Sequence, residues 1–138
     1  MERGQIHLDD PFDLRLTLES GQSYLWWRED GATYGSTDAD TWYCTTTRAE
    51  GEPAPLRIRQ DGDTLRWEST VDAEDVVRRR LGLEDDLHAI RAAAPDDDLV
   101  SEALDAHWGM RIVRDPPFGG LVSFICSAQM RVARIHGM

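Results

Sequence analysis

One change of period divides this sequence. Through the first seventy residues apolar and polar side chains alternate in short runs; after Thr70 the apolar positions recur three and four apart. Alternation puts one side of a strand in a core and the other in water, whereas the longer period marks one face of a helix. Phe12-Asp13-Leu14-Arg15-Leu16-Thr17-Leu18 alternates without a break, which predicts a half-buried strand. Ser20-Gly21-Gln22-Ser23 interrupts it, and Tyr24–Arg28 restarts an extended segment before the turn residues Glu29-Asp30-Gly31. Short aromatic and Thr-rich strands are expected near Thr33–Gly35 and Thr41–Thr46, then a loop over Glu50–Pro55. Leu56–Arg59 and Thr64–Glu68 alternate around Gln60-Asp61-Gly62-Asp63 and predict a hairpin.

Beyond Thr70 four helices are expected. Asp72 is placed to cap the first, with Val76, Val77 and Leu81 on one face and Gly82 as its stop. Leu87, Ile90 and Ala94 suit a second, ended by Pro95. Asp96–Asp98 opens a third that runs from Leu99 to Ala106, where negative charge favours the helix dipole. Asp115-Pro116-Pro117 opens the fourth, since proline is tolerated in a first turn. From Phe118 to Met138 the chain reads as apolar and helical, with a polar interruption near Ser127–Arg131. Strands first and helices after define an α+β class, a twisted antiparallel sheet with helices. Leu121, Val122, Phe124, Ile125 and Cys126 form too broad an apolar band for a surface helix. Either they complete a small core or they await another domain, and the second is the expectation.

The 138 residues suit one domain or part of one. No apolar run nears the roughly 18 residues of a membrane span, no signal peptide opens the chain, and two cysteines make no disulfide framework. A reducing cytoplasm is therefore expected. All fifteen basic residues are arginine, against 17 Asp and 9 Glu, for a net charge of -11. That style resembles proteins of halophilic archaea, whose salt shortens the Debye length to ~3 Å at 1 M. Taken alone, the charge argues against nucleic acid. Yet its distribution is uneven: from Ala106 onward four arginines (111, 114, 131 and 134) face Asp115 alone, while the preceding 105 residues set eleven arginines against 25 acids.

Generic chemical motifs are missing. His7, His88, His107 and His136 lack metal-ligand spacing, and Pro117-Phe118-Gly119-Gly120 lacks both the spacing and the lysine of a phosphate loop. Asp96-Asp97-Asp98 reads as a solvated cap, Cys126 as a buried inert thiol, and the five tryptophans as core. No metal and no cofactor are expected.

Two stretches carry more. Ser20-Gly21-Gln22-Ser23-Tyr24 with Trp26 and Trp27, and Phe124-Ile125-Cys126-Ser127-Ala128-Gln129-Met130-Arg131-Val132-Ala133-Arg134-Ile135-His136-Gly137-Met138, resemble 8-oxoguanine DNA glycosylases of the eukaryotic and archaeal type. In that family a strand ends in an SGQxFRW-like run, and a later helix reads FICSxNNNxARIxGM. The resemblance spans Leu14 to Met138. It implies a TATA-binding-protein-like sheet domain over residues 1–105. Residues 106–138 would then be the first helices of a helix-hairpin-helix glycosylase domain, truncated at Met138.

Such an enzyme swings its target base out of the stack and must fill the hole left behind. The resemblance implies that Gly21 offers its backbone carbonyl to the N7 hydrogen of 8-oxoguanine, which guanine lacks; a plain turn glycine is the other reading. It implies further that Gln129, Met130 and Arg131 enter the duplex and that Arg134 reads the estranged cytosine. Tyr24-Leu25-Trp26 stands where the family has Phe-Arg-Trp, and Gln-Met-Arg where it has Asn-Asn-Asn. Met130 would be an apolar wedge in place of an amide. The family's nucleophilic lysine and later aspartate are expected beyond Met138, so no catalytic residue is assigned in this chain and the segment alone should be inactive. The implied partner is damaged double-stranded DNA, bound by a monomer in the archaeal cytoplasm near the nucleoid, with no membrane. A 3-methyladenine-type glycosylase and a non-catalytic DNA-binding module are the alternatives.

Overall fold

Five antiparallel strands form a single sheet in the order β1-β5-β4-β3-β2, with β1 at Glu2–His7, β2 at Trp27–Arg28, β3 at Tyr43–Ala49, β4 at Glu52–Asp61 and β5 at Thr64–Ser69. The computed structural model describes residues 1–32, 41–49 and 51–128. Alternation decides which side is buried: Tyr43, Leu56, Ile58, Leu65, Trp67 and Ile6 face inward. Arg57, Arg59, Arg66 and Glu68 lie on the opposite side. The expected hairpin is present, with Asp61 opposite Thr64 across Gly62. At the β1–β5 pair, Gly4 sits opposite Trp67, and any Cβ there would run into the indole ring.

Two short helices close the core against the inward side. Helix α1 (Leu14–Glu19) contributes Leu14 and Leu18, and helix α2 (Glu74–Arg80) contributes Val77, followed by Leu81. Burying each such side chain is worth about 1.5–3 kcal/mol. The sheet's edge near β2 is tied by Arg28, whose guanidinium bonds Glu19 at 2.9 Å and Asp30 at 2.6 Å. The Asp30 bond holds that carboxyl well below the usual carboxylate range. Tyr43 donates to Glu19 at 2.7 Å, and burial pushes its phenol up.

Three more helices follow: α3 (Leu87–Ala93), α4 (Asp98–Ala106) and α5 (Pro117–Ser127). None holds a buried residue. Their starts are stabilised locally instead, with Asp86 accepting from Ala89 N at 2.9 Å and Asp97 from Val100 N at 3.0 Å. No helix among the described residues is long and apolar enough to cross a membrane.

Several sequence expectations change. Residues 12–18 are not a strand but contain α1, because Asp13 caps it, accepting from Leu16 N at 2.8 Å. The buried set Leu14, Thr17 and Leu18 follows three-and-four spacing within a run that also alternates. Glu50–Pro55 is not a loop throughout, since β4 already begins at Glu52. Pro53 and Pro55 pair with β3 beyond the last β5 partner, where a strand has one neighbour and tolerates proline. Strand β1 carried no sequence expectation. Helix α2 is capped at Ala73, with Asp72 accepting from Glu74 N. Trp26 and Trp67 are core, but Trp27 is 46% exposed, and Trp42 lies on the outer side under Arg57 and Arg59. Cys126 is exposed rather than buried. The expected Thr33–Gly35 strand lies outside the described residues.

Candidate functional site

The turn after α1 is where the first motif becomes geometry. Ser20 closes the helix, its hydroxyl donating to Thr17 O at 3.0 Å, and Gly21 follows at φ +83°. That left-handed conformation disfavours any side chain, and the space a Cβ would enter is open for 4 Å. Gly21 is exposed, and among the described residues its carbonyl accepts no hydrogen bond. The turn therefore presents bare backbone to the outside.

What holds this turn is the next two side chains. The Gln22 amide donates to Thr17 O at 3.0 Å and Arg111 O at 2.8 Å, and its oxygen accepts from Val113 N at 2.8 Å. One side chain thus joins the end of α1 to a segment ninety residues away. Ser23 is buried, and its hydroxyl donates to Asp115 at 2.5 Å. Asp115 also receives Arg80 at 2.9 Å, and Arg80 is only 3% exposed, stacked 4.7 Å from the Trp26 ring centroid. Burial lowers the Arg80 pKa, and the Asp115 charge opposes that shift.

The extended segment from Gly109 to Asp115 is a strap across these elements. Gly109 O accepts from Asp13 N at 2.9 Å, and a Cβ at Gly109 would press on the backbone at Phe12 and Asp13. Arg111 is buried, and its guanidinium is spent on the carbonyls of Gly82, Asp85 and Pro11. Arg114 Nη2 donates to both carboxylate oxygens of Asp85 at 2.8 Å. Two of the four arginines that make the C-terminal part basic are therefore already engaged.

From the strap the chain enters α5, whose Gly119 packs on Leu25 of the first motif. The first motif and the start of α5, nearly a hundred residues apart in sequence, are neighbours. Phe118, Leu121, Val122, Phe124 and Ile125 on α5 are all exposed. They complete no core among the described residues. Of the expected site residues the structure places Gly21; Gln129, Met130, Arg131 and Arg134 lie outside the described residues. Gln22, Ser23, Asp115 and Arg80 had no assigned role from sequence. Gln22 was visible as part of the motif run, whereas Arg80, one of three successive arginines, carried no signal. Among the described residues no group of three or more His, Cys, Asp or Glu is placed to hold a metal ion.

The family model for the 8-oxoguanine DNA glycosylase N-terminal domain matches residues 5–121. The chain belongs to that family. MBOgg1 in complex with a low-affinity DNA ligand is similar at TM-score 0.74 and 28% identity, over 97% of this chain and 43% of that one. The apo form of Clostridium acetobutylicum 8-oxoguanine glycosylase/lyase follows at TM-score 0.73 and 23% identity, over 99% and 44%. The 3-methyladenine DNA-glycosylase from Archaeoglobus fulgidus shares the fold at TM-score 0.66 and 15% identity, over 96% and 47%. Against these structures the 8-oxoguanine glycosylase family chain spans less than half the length of its matches.

Proposed function

We propose that this chain is the N-terminal part of a base-excision-repair glycosylase with lyase activity, acting on 8-oxoguanine in duplex DNA. Gly21 carries the reading. Its carbonyl, without a partner among the described residues and in a turn that only glycine adopts freely, is suited to accept the N7 hydrogen of the oxidised base. Guanine would leave that acceptor unpaired, a difference of roughly 1–3 kcal/mol. Gln129, Met130 and Arg131 fill the gap in the duplex and Arg134 reads the orphaned cytosine. These 138 residues contain no lysine, so a Schiff base on a lysine side chain forms on a residue outside them. They supply recognition rather than bond breaking. The protein works as a monomer, and residues 106–138 begin the helical glycosylase domain. The acidic, lysine-free surface is an adaptation to concentrated salt in an archaeal cytoplasm.

Borohydride trapping on an 8-oxoguanine duplex tests the division of labour: the 138-residue chain yields no adduct, and an adduct would refute it. In the intact protein, Gly21→Ala lowers the preference for 8-oxoguanine over guanine by about tenfold, as a lost hydrogen bond predicts. A duplex bearing 3-methyladenine is the control, and faster excision of that base than of 8-oxoguanine would favour the sister glycosylase class.

A further inference from the structure

One carboxylate ties the first motif to the start of α5. Asp115 stands just before Pro116 and Pro117, which open α5, and α5 leads at its far end toward Gln129. One Asp115 oxygen accepts from the Ser23 hydroxyl in the Gly21 turn; the other accepts from Arg80. Arg80 is itself fixed in the core, bonding Thr45 Oγ1 at 3.2 Å and lying over Trp26. The carboxylate is therefore not a loose surface group. It is anchored from below by a buried cation, and it holds the recognition turn from above.

Gln22 and Ser23 divide the work differently. Gln22 bonds three backbone groups, two of them in the strap. The Ser23 hydroxyl donates only to Asp115 and accepts from Leu25 N at 3.2 Å. Removing it leaves the Arg80–Asp115 pair, the Gln22 clamp and the core intact. What is lost is the side-chain bond between the turn and the residue that precedes the prolines of α5.

We infer that Ser23 and Asp115 are positioning residues that hold the Gly21 carbonyl in register with α5, so that sensing the lesion and entering the duplex occur in one geometry. This rests on the reading of Gly21 and residues 129–134 given above. A hydroxyl bonded to a charged carboxylate is among the stronger hydrogen bonds and resists rotation of the turn. Neither residue touches the base.

The test uses the intact protein with duplexes containing 8-oxoguanine or guanine opposite cytosine, comparing Ser23→Ala, Ser23→Thr and Gly21→Ala. Ser23→Ala is expected to lower the preference for the lesion by about tenfold, the scale of one charge-assisted hydrogen bond. Its affinity for the guanine duplex stays unchanged and its thermal midpoint stays within ~4 °C of the parent. Ser23→Thr, which retains a hydroxyl, restores most of the preference. An equal loss of affinity for both duplexes would reduce Ser23 to a structural role and overturn the inference. A Ser23→Ala protein within about twofold of the parent preference, beside a Gly21→Ala protein that has lost it, would overturn it as well. If Gly21→Ala also keeps the preference, the failure lies in the reading of Gly21, and the inference falls with it.

Discussion

The sheet with α1 and α2 and the stretch from α3 to α5 are built on opposite terms. In the first, alternation on the strands and three-and-four spacing on the helices converge on one core, from Ile6 to Leu81. In the second, each helix begins on a local device: an Asp cap for α3 and α4, a proline for α5. Ile90, Leu99 and the large apolar side chains of α5, Phe124 at 72% exposed among them, face outward. Helices this short gain little from propensity alone and normally depend on packing. The contrast teaches that the Gly21 turn belongs to the closed part, while the surface α5 offers beside it is open.

Paired truncations put this contrast to the sharpest test. Ile58→Ala in the closed core is expected to cost about 2–5 kcal/mol by urea denaturation. Acid comes next. Arg28 and Arg57 hold the carboxyls of Asp30 and Glu68 below their usual range. Their stabilisation is complete above the ordinary carboxylate values near pH ~4 and is lost as pH falls toward the depressed folded values. The thermal midpoint of Asp30→Asn should therefore fall less steeply than that of the parent between neutral and acid pH, and parallel curves would contradict the assignment. In the open region, Asp97→Ala should cost ~1 kcal/mol of cap energy, read as faster amide exchange confined to α4. Smallest of all, Phe124→Ser should change chain stability by no more than ~0.5 kcal/mol while raising solubility. A cost matching that of Ile58→Ala would show that α5 is packed after all.

How much of this was legible depends on which signals were unambiguous. The β4–β5 hairpin was, because strict alternation on both sides of Asp61-Gly62 admits one register. Residues 12–18 were not. Leu14 and Leu18 satisfy both periods, and Asp13 as cap decided for a helix that alternation alone had assigned to a strand. Pro53 and Pro55 suggested a loop because their tolerance in β4 depends on a missing neighbour, which is a tertiary fact. Gly21 could be singled out from its motif, and the structure places it at a positive φ with open space around it. The supports behind it could not. Gln22 reaches Val113 and Ser23 reaches Asp115 across some ninety residues, and nothing local in either stretch announces the other.

One pairing also limits how this sheet can drift over time. Gly4 lies opposite Trp67 with no room for a methyl group between them. Neither position is free to change by itself: a side chain at 4 requires a smaller partner at 67, and a smaller residue at 67 leaves a hole that a bare backbone cannot fill. A slip of β1 by one residue would bring Arg3 or Gln5 against the indole, so the same vacancy that excludes substitution works as a key, admitting this edge strand in one alignment. Among homologues the two sites should therefore vary together or stay as they are.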